Sequence, residues 1–441
     1  MTFSEDWRIP CPAYAFIWEM QRMQVSTVVV LSDSVRSDGG AAKVAQMSAV
    51  GLSNAGYRVI FISGETADVG SDLKTANVEV VCLGLHTISD PANRVKTTFT
   101  GLWNIAAAKQ LKNVLSNLDP ANTVVHLHSW TKCLSSSVIP VIKHARFPLV
   151  LTLHDYFSAC PNGGFFDYNT NQICDLRPLG VACLTRNCDA RAASHKIWRV
   201  ARQVIQLGLG KLPQAVDAFI AVSDLSYDVL RPYLPEDASV HRINNPIECS
   251  KIPPAKPAER DGVLFIGRLS KEKGPDLLAA AAREAQLEVT FVGDGELRES
   301  LEGAYPEHHF TGWLSFSDVL TLVDKTRSLV FPSLWYETLG LVVLECAARG
   351  VPAIVSDNCA AKEIVVHEKT GILFAGGSTQ DLKIALDRIK DNKMVERMGT
   401  SAYQHFWRNP PTLERYINNL VNCYHQLPDK HPALPNAQTN R

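Results

Sequence analysis

Val263-Leu264-Phe265-Ile266-Gly267-Arg268-Leu269-Ser270-Lys271-Glu272-Lys273-Gly274 passes from a short apolar run into a cationic loop closed by glycine, and a helical stretch follows it. A brief apolar run bounded by turn residues reads as a strand buried on both faces. Such strands build parallel sheets covered by helices. Downstream the pattern repeats, with strands expected at 288–292, 328–332, 352–356 and 371–374. Upstream it also repeats, at 25–31, 57–63, 78–82, 123–128, 148–154, 218–222 and 239–243, with helices over 40–55, 102–117, 190–210 and 224–234. The two series are separated by 245–260, which holds four prolines and mixed charges and reads as a linker. The expected architecture is α/β: two doubly wound, Rossmann-like domains facing a cleft. Their limits are 23–245 and 261–408, joined by a linker over 246–260. Residues 1–22 read as an extension. A last helix, 409–425, is interrupted by Pro410-Pro411 and expected to pack back on the first domain, and 426–441 reads as a disordered tail.

Composition narrows the function classes. The chain has 441 residues, more than the ~100–200 of one domain, and 44 Lys+Arg against 45 Asp+Glu give a net charge of -1. That balance argues against a protein built to grip nucleic acid. No apolar run approaches the ~18 residues of a spanning helix. Eleven cysteines are scattered, with neither a basic start nor an apolar stretch before them, so a cytoplasmic chain with reduced thiols is expected.

Four groups of residues carry chemistry. Ser37-Asp38-Gly39-Gly40 precedes a helix, where paired glycines let backbone approach an anion, although a plain tight turn reads equally well. No GxGxxG is present, against a dehydrogenase. Arg268 and Lys273 stand at the C-terminal end of the quoted strand, where α/β folds bind ligands, and a guanidinium with an ammonium suits a diphosphate. The other reading is a solvated charged loop. Phe331-Pro332-Ser333-Leu334-Trp335-Tyr336-Glu337-Thr338-Leu339-Gly340 leads into a helix carrying Glu345 between Leu344 and Cys346. A carboxylate there needs a partner, either a sugar diol or an ion pair with Arg349. His154 ends an expected strand at the cleft, with His128 ending the one before; each could instead be structural.

Gly267-Arg268-Leu269, Lys273-Gly274, Pro332-Ser333, Glu337, Glu345 and Gly350-x-Pro352-x-Ile354, in this order, closely resemble the large retaining family 4 glycosyltransferases of GT-B fold. Asn245-Pro246-Ile247 and Val292-Gly293-Asp294-Gly295 extend the likeness. The resemblance implies that Gly40 lies against the donor's diphosphate or sugar across the cleft. It implies that Gly267, Arg268 and Lys273 hold the diphosphate, with amides near Leu339 and Gly340. Glu345 would take the ribose hydroxyls, Glu337 the hexose, and the backbone at Trp313-Leu314 the base. His154 matches the histidine near the reacting sugar carbon, so His154, Glu337, Arg268 and Lys273 form the expected catalytic set. There is no Asp-x-Asp for a metal-bridged nucleotide, and a pair of carboxylates on opposite sugar faces is not evident. Front-face transfer with retention, needing no cofactor, is the consistent expectation.

The expected reaction moves a hexose from a UDP- or GDP-linked donor to a saccharide or lipid-linked acceptor, in bacterial exopolysaccharide or lipopolysaccharide assembly. The rivals are a sugar phosphorylase, a nucleotide-sugar epimerase, or an inactive homologue serving as a partner subunit. Over 186–211 the cations Arg186, Arg191, Lys196, Arg199, Arg202 and Lys211 face only Asp189. A basic amphipathic helix of this kind can lie on an anionic leaflet, giving a peripheral contact at the inner face of the cytoplasmic membrane. An ordinary solvated helix face is the alternative. Finally, Cys160, Cys174, Cys183 and Cys188 resemble a cysteine-bearing insertion in a subset of these transferases. Four thiolates could close a structural zinc site, although only Cys183-x4-Cys188 has a familiar ligand spacing.

Overall fold

The computed structural model describes residues 23–428 apart from 37, 38, 67 and 69. The expected extension 1–22, Ser37 and Asp38 of the glycine turn, and the tail from 429 onward lie outside the described residues. Strands β1 (Thr27–Ser32), β2 (Arg58–Ser63), β3 (Glu79–Cys82), β4 (Thr123–Leu127) and β5 (Leu149–Leu153) belong to a first sheet. A short antiparallel ribbon follows, β6 (Phe166–Asp167) with β7 (Gln172–Ile173), before β8 (Ala218–Ala221) and β9 (Val240–Arg242) complete that sheet in the order β3-β2-β1-β4-β5-β8-β9. The second sheet contains β10 (Val263–Ile266), β11 (Val289–Val292), β12 (His309–Gly312), β13 (Ser328–Phe331), β14 (Ala353–Ser356) and β15 (Gly371–Phe374), ordered β12-β11-β10-β13-β14-β15. Neighbouring strands within both sheets run parallel.

Period-2 geometry divides each strand between two cores. Val29 and Leu31 of β1 enter one core, Val28 and Val30 the other, and all four are fully buried. Helices cover both faces, which is why the strands read as continuous apolar runs. The edge strand β12 escapes that signal because His309 and Thr311 are exposed.

The last helix, Leu413–His425, follows the second domain in sequence but packs into the first. Tyr416, Ile417, Leu420 and Tyr424 join the core that holds Val28 and Val30. It lies so close to the helix Gly40–Asn54 that a Cβ on Gly51 would sit 2.5 Å from Ile417. The Tyr416 hydroxyl meets Ser48 Oγ at 2.8 Å. Pro410-Pro411 separates two helices rather than interrupting one: Asn392–Arg408 ends before the prolines, and Thr412 caps the next at Arg415 N. Within the stretch from 426 expected as a tail, Leu427 is buried in that same core.

Candidate functional site

Parallel strands present their C-terminal ends to one side of each sheet, and the two sets of ends face each other here. On the first domain Asp33, just past β1, is buried and accepts the backbone N–H groups of Lys132, Cys133 and Leu134 at 2.8–3.0 Å. This carboxylate holds the loop after β4 in place, a role the sequence reading missed. Gly40 opens the helix Gly40–Asn54, and a Cβ there would lie 3.8 Å from Leu341. The two helix N-termini, at Gly40 and at Leu341, therefore meet across the cleft, where helix N-terminal amides suit an anion.

On the second domain the loop after β10 is drawn tight. Gly293 approaches so closely that a Cβ would lie 2.0 Å from the Gly267 carbonyl oxygen. The Arg268 guanidinium reaches Glu272 Oε1 at 2.5 Å and Ser270 Oγ at 3.1 Å, with its side chain largely exposed to the cleft. Lys273 donates to Glu337 Oε1, and Ser333 Oγ donates to Glu337 Oε2 at 2.7 Å. Lys273 and Glu337, 64 positions apart, are each 17% exposed as side chains. Leu339 is buried, and Gly340 takes φ 86° at the start of the helix Leu341–Ala348, a conformation that favours glycine.

Glu345 is 8% exposed, and no side chain among the described residues bonds to it. Arg349 pairs instead with Asp324 at 3.1 Å, so the ion pair weighed from sequence does not form. Burial pushes the Glu345 carboxyl up, Lys43 opposes this, and Glu248 adds to it. A desolvated carboxylate without a bonded cation is poised for a ligand's hydroxyl groups. Trp313 is strongly exposed in the loop after β12, with Leu314 half-buried beside it.

His154 follows β5 and stands in a column of imidazoles. Its Nε2 lies 3.0 Å from His128 Nδ1, while His126 is held by the Tyr424 hydroxyl and Thr152 Oγ1, each at 2.7 Å. Burial holds His126 and His154 down at about 3 and His128 well below its ordinary value. His154 thus meets a ligand as a neutral ring. The backbone carbonyl of His154 also accepts Thr338 Oγ1 at 3.1 Å, tying the two domains together two residues before Gly340. Glu363 makes a second tie, accepting the Asp224 and Leu225 amides at 3.0 and 2.6 Å.

These shifts have a measurable consequence. Neutral histidines in the native state contribute stability that is present above about pH 6.5 and lost as the pH falls toward 3, because the unfolded chain takes up the protons. Each contributes a slope of about 1.4 kcal/mol per pH unit. Asp155, which burial pushes up to about 6, acts in the opposite sense, its stabilising proton being lost as the pH rises through 4–6. Five histidines held down by burial, His241 and His308 included, outweigh the three raised carboxyls Asp155, Glu345 and Glu363. The urea midpoint is expected to drop steadily between pH 6.5 and 5, and a flat profile would remove the neutral column.

Comparison with known proteins decides the family. A family model for "Glycosyltransferase Family 4" matches residues 38–251, and one for "Glycosyl transferases group 1" matches 248–405. The chain belongs to the family 4 glycosyltransferases. It is 23% identical over 395 residues to the glycogen synthase of Mycobacterium tuberculosis, covering 83% of this chain and 86% of that protein. Anabaena HepE, solved with UDP and glucose, superposes with TM-score 0.64 at 16% identity, covering 91% of this chain and 100% of HepE. Sucrose-phosphate synthase from Thermosynechococcus elongatus gives TM-score 0.66 at 17% identity, with 91% and 98% covered. The fold is accordingly GT-B.

Two stretches of this transferase arrange their side chains differently from the simplest reading of their sequence. The basic face over 186–211 does not form. In the helix Ala193–Gly208, Lys196 and Arg202 are buried, Arg199 pairs with the buried Asp189 at 2.7 Å, and Arg186, before the helix, pairs with Asp167 at 2.5 Å. Ile197 and Val204 face outward instead. The helix covers a polar pocket, so its polar side turns inward. Among the four clustered cysteines the charged neighbour is a lysine. Lys196 Nζ lies 3.3 Å from Cys188 Sγ and 3.5 Å from Cys183 Sγ, placing an ammonium where a shared cation would sit. Cys160 and Cys174 are free, and among the described residues no group of three or more His, Cys, Asp or Glu side chains fits a metal ion.

Proposed function

We propose that the transferase moves a hexose from a nucleoside-diphosphate sugar to a saccharide or lipid-linked acceptor, with retention of configuration and without a metal. The observation that carries this is Glu345, buried without a hydrogen-bonded partner on the helix that follows the loop in which Glu337 pairs with Lys273. A diphosphate between the helix N-termini at Gly40 and Leu341 would be held by Arg268 and Lys273. Glu345 would accept from the two ribose hydroxyls, and Glu337 would orient the hexose. As the glycosidic bond to the diphosphate breaks, the cations stabilise the leaving oxygen, which takes the acceptor's proton as the new bond forms on the same face. His154, neutral, serves as a hydrogen-bonding partner near the reacting carbon. HepE was crystallised with UDP and glucose, which supports a uridine nucleotide. A thermal-shift series against UDP, GDP and ADP tests the reading. A bound nucleotide at ~100 times its Kd should stabilise by roughly 2.7 kcal/mol, and no shift with any of the three would sink it.

A lipid-linked acceptor is favoured by the outer surface of the first domain. Nine of the fourteen exposed large apolar side chains among the described residues lie there, including Val95, Phe99, Val181, Ile197 and Val204. The helices Arg94–Thr100 and Ala193–Gly208 are joined by Trp198 Nε1 donating to the Thr98 carbonyl at 2.8 Å. Exposed apolar side chains on two helices joined in this way, near a cationic pocket, suit an anionic bilayer surface. Ile197→Glu with Val204→Glu is expected to weaken co-sedimentation with phosphatidylglycerol vesicles by about tenfold or more. Unchanged binding would remove the membrane from this reading; no helix is long and apolar enough to cross one.

A further inference from the structure

Beside the donor site, lined from both domains, lies a pocket of about 610 Å³, within the usual range of roughly 300–1,000 Å³ for small-molecule sites. Its charge is unbalanced. Arg199 and Arg268, both in its wall, are matched by Asp189 and Glu272. Lys132, Arg191 and Arg202 also line it, and none of them forms an ion pair among the described residues. The one carboxylate in the wall is Asp155, whose Oδ1 is taken by the Phe157 amide at 3.0 Å.

Arg202 is the informative member. It is 6% exposed, and its bonds are two long ones, to the carbonyls of Thr131 at 3.5 Å and Pro161 at 3.4 Å. The guanidinium lies 4.6 Å from the centroid of Phe157 and 5.2 Å from that of Trp198. Burial pulls it down to about 10, with Arg199 adding repulsion and Asp155 and Asp33 opposing. A buried guanidinium without a bonded counter-ion is costly unless a ligand supplies one. Trp335 lines the pocket from the other domain. Its indole and that of Trp198 are flat surfaces of the kind on which a sugar ring packs.

We propose that this pocket selects an anionic acceptor: a saccharide whose carboxylate or phosphate is bound by Arg202 and Lys132, with Arg191 at the rim. The assignment rests on the transferase reading, because Arg268 places the pocket beside the donor's diphosphate. A neutral acceptor would leave the cations unmatched. An anionic one next to a diphosphate requires them, since like charges in a partly desolvated cleft repel.

Calorimetric titration of the intact chain with glucuronate, glucose 1-phosphate and methyl glucoside tests this without requiring turnover. At least one anionic sugar is expected to bind about tenfold or more tightly than the neutral one, and the affinity should weaken as salt is raised. The glucuronate and phosphate arms separate a uronic-acid acceptor from a phosphorylated one. Lys132→Gln, at an exposed position that should fold normally, is expected to reduce the preference at least threefold, and Arg202→Gln to abolish it. Equal affinity for the three sugars would overturn the proposal. So would displacement of the anionic sugar by saturating UDP or GDP, which would assign the cations to the donor. Anionic-sugar binding in a chain that binds no nucleotide would support the pocket while sinking the donor reading.

Discussion

Glu337→Gln is expected to lower kcat by about two to three orders of magnitude while changing nucleoside-diphosphate affinity only severalfold. The side chain keeps its shape and can still accept from Ser333 Oγ, but the charge facing Lys273 is lost. Ground-state binding of the nucleotide does not use that charge under the proposed reading. Departure of the diphosphate does, because positive character grows on the sugar carbon as the bond stretches. An effect on turnover without a matching effect on binding marks a transition-state interaction. Steady-state rates with a nucleotide sugar, together with calorimetric nucleotide affinities, check it. Full turnover in the variant would remove Glu337 from the reacting centre.

Glu345→Gln should move stability and affinity in opposite directions. The wild-type carboxylate is buried without a bonded cation, so its charged form costs stability that rises as the pH climbs through its elevated pKa. Neutralising it should raise the melting temperature of the free protein at pH 7. Each charge-assisted bond to a ribose hydroxyl contributes about 1.5–3 kcal/mol, so losing one should weaken nucleotide binding between roughly tenfold and a hundredfold. Melting curves with and without nucleotide read both effects. Lower free-state stability with an unchanged nucleotide shift would make Glu345 a structural charge.

The pattern of strands was legible because all but the edges are covered on both faces, so apolar runs alone marked them. β12 was not, since alternate residues of an edge strand meet water. Arg268, Lys273 and Glu337 were legible as residue types in the loops that follow strands, and Glu345 as a carboxylate within an apolar helix. The bond between Lys273 and Glu337 was not, because it closes over 64 positions. The cations of 186–211 could be counted, but their direction could not be read, and the helix turned out to bury Lys196 and Arg202 while exposing Ile197.

By itself, then, the sequence determined the two α/β series, the proline-rich joint between them and the charged ends of the second sheet. These follow from periodicity and turn chemistry, which act within one element or between neighbours. Only the tertiary structure decided that Tyr424 supports His126 from 298 positions away, that Lys196 lies against both Cys183 and Cys188, and that Arg202 is buried without a bonded counter-ion. Desolvation and charge pairing depend on which distant groups surround a side chain, and that neighbourhood exists only once the two sheets and their covering helices have packed.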